Sequence, residues 1–163
     1  MSAPPPPPPA FARRIALPDQ EATERLAASL APLLRAGDVV ALGGDLGAGK
    51  TTLARALIRA LAADPEEEVP SPTFTLVQSY DTPAGPVWHF DLYRLSGPDE
   101  VLELGWDEAL ATAILLVEWP DRLGRLAPPG RLELTLTATG PDSREALLAG
   151  DSHWSARLES LAP

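Results

Sequence analysis

The chain has 163 residues, 23 acidic side chains against 13 basic ones, a formal net charge of -10 and no cysteine. That length suits one domain able to bury about two-thirds of the surface its unfolded form would expose, and the missing cysteine excludes disulfide and thiolate chemistry. The acidity, with a pI near 4.5, excludes the basic patch from which an independent nucleic-acid binder draws most of its affinity, so any nucleic acid is expected to be reached through a partner. There is no apolar run near the roughly 18 residues of a membrane span, and no basic and apolar leader at the N-terminus, so no membrane contact and a cytoplasmic location are expected.

In chain order, Pro4 to Pro9 form an unbroken proline run, read as a solvated polyproline II arm over residues 1–12. Residues 13–163 are read as a single domain. A helix pattern starts at Pro18-Asp19 and carries Leu26, Leu30, Leu33 and Leu34 on one side, with Pro32 either kinking it or opening a new first turn. Val39 to Leu42 is a short apolar strand run, and Leu53, Leu57 and Leu61 recur at helical spacing. A strand leading to Tyr80 and a second over Val87 to Leu95 form a hairpin around Pro83 and Gly85. Alternation places Trp88, Phe90 and Leu92 on one face of the second strand, and His89, Asp91 and Tyr93 on the other. A helical stretch follows Gly97-Pro98 as far as Leu110. Ala113 to Val117 is a buried-strand run ending on Glu118-Trp119-Pro120, Arg131 to Thr137 and Glu145 to Leu148 are further strands, and Trp154, Leu158 and Leu161 mark a terminal helix.

The chemistry is concentrated between the first apolar strand and the helix after it. Gly44, Asp45, Leu46, Gly47, Ala48, Gly49, Lys50 and Thr51 spell G-x-x-x-x-G-K-T in a strand–loop–helix context, the pattern whose backbone N–H groups cradle phosphates. Lys50 is the only lysine in the chain; the other twelve basic residues are arginine. It is expected to reach the β- and γ-phosphates of ATP, and the Thr51 hydroxyl to ligate Mg²⁺. Glu118, directly after a buried strand, is the expected second Mg²⁺ ligand. Asp91 is the candidate to orient the attacking water, and Thr73, after the acidic loop of Glu66 to Glu68, the candidate γ-phosphate switch. Trp119 is placed either to stack on the site or to cover a sheet edge. His89 alone reads as a hydrogen-bonded scaffold residue. Guanine recognition through N-K-x-D needs a second lysine, which disfavours a GTPase. The alternatives left open are a small-molecule kinase with Arg122 and Arg125 as a phosphate lid, and an ATP-gated binding module with little turnover.

Five stretches together resemble the TsaE family of P-loop ATPases required for threonylcarbamoyladenosine modification of tRNA beside the anticodon. They are Leu17-Pro18-Asp19 with Ala22-Thr23, Gly44 to Thr52, Ser71-Pro72-Thr73 with Thr75-Leu76-Val77, His89 to Leu95, and Leu116-Val117-Glu118-Trp119-Pro120. The resemblance implies an α/β domain of the P-loop NTPase-like three-layer kind, with a mixed, largely parallel sheet. It also implies an ATPase whose turnover supports a complex of TsaD and TsaB, with tRNA met only through that complex. Carried over by motif, Lys50 and the loop through Thr52 bind phosphates, Thr51 and Glu118 hold Mg²⁺, Thr73 is the switch threonine and Asp91 assists hydrolysis. Trp119 belongs to the same signature, Asp19 to Thr23 lie near the adenine, and Arg144 is the late arginine near the nucleotide.

Overall fold

The computed structural model describes residues 10–161, and the proline run of the expected arm lies outside them. Seven strands form one sheet in the order β1-β7-β6-β2-β5-β4-β3. They are β1 (Phe11–Leu17), β2 (Val39–Gly43), β3 (Val77–Thr82), β4 (Gly85–Asp91), β5 (Ile114–Glu118), β6 (Leu132–Ala138) and β7 (Arg144–Gly150). The four central strands, β6, β2, β5 and β4, run parallel; β1 and β7 at one edge and β3 at the other are antiparallel to their neighbours. Parallel neighbours need crossovers and a cover on each face, and the central strands have both. In β5 every residue from Ile114 to Glu118 is buried, as expected of a strand with both faces covered.

On one face, α1 (Gln20–Leu30), α2 (Lys50–Ala62) and α4 (Ser152–Arg157) enclose the larger core with Val40, Leu42, Ile114, Leu116, Leu134 and Leu148 from the sheet. On the other face, α3 (Trp106–Thr112) and two 3₁₀ segments, Pro98–Leu104 and Pro120–Leu126, enclose Phe90, Leu92, Leu115 and Val117. Three layers result. The alternation expected for β4 holds: Phe90 packs edge-on against Trp106 in the second core, while His89 and Asp91 point to the α2 side.

Several local expectations are sharpened. Pro32 sits in the first turn of a 3₁₀ segment, Ala31–Leu33, that follows α1, so the chain ends one helix and opens another turn. β4 stops at Asp91 rather than Leu95, and the helical stretch after Gly97 is divided at Gly105 (φ 88°), where the 3₁₀ segment gives way to α3. β1 is a strand that the sequence did not signal. Phe11 and Ala12, assigned to the arm, are already paired with Gly150 and Ala149, so the ordered chain begins before residue 13.

The C-terminal helix is fastened to the start of β2 by Arg157. Its two terminal nitrogens donate to the Asp38 carboxylate at 2.8 and 2.6 Å, one of them also to the Leu33 carbonyl, and the guanidinium lies over the Trp154 ring at 4.3 Å. The two side chains are only 12% and 10% exposed. Removing one partner of such a pair leaves a buried charge without its counterpart, so Arg157→Ala is expected to cost about 3–5 kcal/mol in urea unfolding. A loss below about 1 kcal/mol would mean that the pair behaves as a surface one.

Candidate functional site

The G-x-x-x-x-G-K-T loop connects the C-terminal end of β2 to α2, and two of its glycines are dictated by geometry. Gly44 has φ +132°, and a Cβ there would stand 2.5 Å from the Leu136 carbonyl oxygen; Gly49, at φ +102°, is the cap residue of α2. No side chain caps α2, so its first backbone N–H groups and the positive end of its dipole face the loop. That is an anion cradle. Lys50 is 5% exposed, and its Nζ donates to the carbonyls of Gly44 at 2.5 Å and Asp45 at 2.9 Å while lying 4.0 Å from the Trp119 ring centroid.

The parallel register of β4 with β5 sets Asp91 beside Glu118 at the same end of the sheet as the loop. Both carboxylates are buried, at 5% and 2% exposure. The Thr51 hydroxyl donates to Glu118 Oε1 at 2.8 Å, and His89 Nε2 meets Glu118 Oε2 at 2.7 Å. Asp91 accepts from the Thr73 hydroxyl at 3.2 Å through Oδ2 and from the Tyr93 backbone N–H at 3.1 Å through Oδ1. Thr73 also shares a 2.8 Å hydrogen bond with Ser71. Leu46, Gly47, Gly49, Lys50, Thr51, Thr52, Thr73, Asp91, Glu118, Trp119 and Arg144 therefore line one open cleft of about 410 Å³. Trp119 is held at its edge in the left-handed region (φ 58°), with its ring 4.9 Å from that of Tyr93.

Arg144 acts on the loop itself. It crosses from β7 so that Nε donates to the Ala48 carbonyl at 2.9 Å and Nη2 to the Gly47 carbonyl at 3.2 Å. On its other side a second hollow of about 340 Å³ brings Asp19, Thr23, Gly49 and Thr52 together. The expected phosphate and adenine ends are thus adjacent, joined by Gly49, Thr52 and Arg144. Arg122 and Arg125 do not line the cleft, and Arg125 is paired with Asp99 at 2.5 Å. No group of three or more His, Cys, Asp or Glu side chains among the described residues is arranged as a metal cage. The hard oxygens of Thr51 and Glu118 beside a phosphate cradle fit Mg²⁺, which takes few protein ligands and completes its shell with water and substrate phosphates.

Burial lowers the Lys50 ammonium below its ordinary pKa of 10.5, and Glu118, Asp91, Asp45 and Asp121 raise it in part. Since nucleotide favours the charged form, affinity should fall as pH rises through the lowered value. The alkaline limb of an ATP titration is therefore expected to begin before that of an ordinary lysine, and a limb at or above 10.5 would contradict the assignment.

Sheet, loop and cleft define a P-loop nucleotide-binding protein. The family model described as threonylcarbamoyl adenosine biosynthesis protein TsaE matches residues 17–146. Among curated relatives, the tRNA threonylcarbamoyladenosine biosynthesis protein TsaE of Rickettsia felis is 37% identical over 145 residues, covering 89% of this chain and 84% of its own length. That of Aquifex aeolicus is 43% identical over 110 residues, covering 68% and 78%. The crystal structure of Bacillus subtilis YdiB aligns with a TM-score of 0.74 at 28% identity, over 93% of this chain and 94% of that one. The chain belongs to the TsaE family.

Proposed function

We propose that this protein is a Mg²⁺-dependent ATP hydrolase that supports a TsaD–TsaB type complex in threonylcarbamoylation of the tRNA adenosine next to the anticodon. The reading is carried by one observation, the hydrogen bond from the P-loop hydroxyl of Thr51 to the buried Glu118 at the end of β5, which joins a phosphate cradle to a carboxylate suited to a hard cation. The loop N–H groups from Gly44 to Thr52 bind the phosphates, and Lys50 turns from the Gly44 and Asp45 carbonyls to the β- and γ-oxygens. Mg²⁺, held by Thr51 and Glu118, would supply charge neutralisation on the phosphate oxygens. Asp91 orients the attacking water, and Thr73, hydrogen-bonded to it, reports the γ-phosphate. Trp119 covers the Lys50 side of the cleft, and Asp19 to Thr23 border the adenine.

With a net charge of -10 the chain reaches tRNA only through its protein partners, and the site of action is the cytoplasm. No helix among the described residues is long and apolar enough to cross a membrane. Phosphate release from ATP by the purified chain tests the enzymatic part. Release that requires Mg²⁺, stops in EDTA and falls about 10²–10⁴-fold in Asp91→Asn with ATP affinity retained is expected. Native turnover in Asp91→Asn would remove Asp91 from the mechanism.

A further inference from the structure

Glu118 has two oxygens and two quite different neighbours. Oε1 meets the Thr51 hydroxyl at the cleft, and Oε2 meets His89 Nε2 at 2.7 Å in the interior. His89 is fully buried, at 0% exposure, and its other ring nitrogen, Nδ1, has no hydrogen-bond partner among the described residues. A carboxylate only accepts, so Nε2 is the nitrogen that carries the proton in this bond. The imidazole is thus tethered at one end only, by the carboxylate expected to hold the metal.

Sequence and register explain how it gets there. His89 lies two residues before Asp91 on the α2 face of β4, and Asp91 is level with Glu118 on β5, so an imidazole at position 89 lies beneath the Glu118 carboxylate on the inner side. A buried imidazole–carboxylate pair is a poor way to stabilise a core, where apolar side chains of similar volume do as well or better. Its distinct contribution is orientation, because a donor on Oε2 fixes the carboxylate plane and turns Oε1 toward the cleft.

We propose that His89 is a positioning residue for Glu118, its Nε2–H holding Oε2 so that Oε1 is presented beside Thr51 to the cation. The inference rests on the Mg²⁺ reading of the site given above. It requires a donor at the Nε2 position, a condition that two isosteric substitutions separate: the amide nitrogen of glutamine reaches about as far as Nε2, whereas that of asparagine stops near Nδ1.

The experiment is a titration of Mg²⁺ against binding of a fluorescent ATP analogue by the full chain, for the native protein, His89→Gln, His89→Asn and Glu118→Gln, with the metal-free affinity in EDTA as the reference. His89→Asn is expected to raise the Mg²⁺ midpoint about 10–100-fold, with the EDTA affinity unchanged and His89→Gln restoring the midpoint to within a few-fold of native. Equal midpoints for all His89 variants, or equal impairment of the Asn and Gln variants, would overturn the proposal while leaving the metal site intact. If Glu118→Gln leaves the midpoint unmoved, the Mg²⁺ reading itself falls, and the proposal with it. A second readout needs no metal: with only two histidines in the chain, long-range ¹H–¹⁵N spectra of the free protein can identify the protonated nitrogen of His89. Expected is a proton on Nε2; a bare Nε2 would overturn the proposal regardless of the titration.

Discussion

Lys50→Ala should bring ATP hydrolysis down by about 10²–10³-fold or more and weaken binding of the triphosphate more than that of adenosine. Lys50 is the chain's single lysine, 95% shielded from solvent, between the loop carbonyls of Gly44 and Asp45 and the face of Trp119. Arg144, the arginine that lines the cleft, is not placed to substitute, since it donates to the carbonyls of Gly47, Ala48, Gly140 and Ser143. Calorimetric titration with ATP and with adenosine, together with a phosphate-release assay, checks this. Unchanged turnover would remove the lysine from the phosphate site and, with it, the reading of the loop as a cradle.

Glu118→Ala separates metal from nucleotide. The carboxylate is buried between Thr51 and His89, so its removal deletes the acceptor of both and one of the two hard oxygens assigned to the cation. Mg²⁺-dependent hydrolysis is expected to fall about a hundredfold or more, since neutralising transition-state charge by a metal accounts for several kcal/mol and each 1.4 kcal/mol is tenfold in rate. Nucleotide binding in EDTA should stay close to native, because the loop N–H groups and Lys50 are untouched. Hydrolysis at the native rate in low Mg²⁺ would show the metal assignment to be wrong. Circular dichroism and urea melts of the variant belong beside the assay, given the two donors left behind.

The parts of the site that could be read from residues alone were those in which a local pattern has one physical use. The glycine loop is one: Gly44 and Gly49 stand at positive φ where a side chain would collide or strain the turn, and the pattern states this without a structure. Period-two alternation likewise sets Asp91 on the face opposite Phe90, and the run Ala113 to Val117 sets Glu118 at a strand end; that the Asp91 face is the one α2 covers is seen only in the structure. What was not legible is long-range pairing. β1 follows a proline run and contains Arg13 and Arg14, so nothing local marks Phe11–Leu17 as a strand; it is specified by pairing with β7, more than 125 residues away. His89 is the hydrogen-bonded, buried residue its sequence suggests, but a lone histidine carries no information about its partner, and the 2.7 Å contact with Glu118 exists only through the β4–β5 register. Arg144 shows the same limit: only the family resemblance implies proximity to nucleotide, and the contacts of its donors with the Ala48 and Gly47 carbonyls are visible in the structure alone.

The central claim is tested most directly by measuring ATP turnover of the pure chain in Mg²⁺, alone and after addition of TsaD and TsaB from the same organism. The account expects low turnover alone and strong stimulation by the pair, lost in Lys50→Ala. Turnover indifferent to both proteins, or phosphate passed to an added metabolite instead of water, would contradict it.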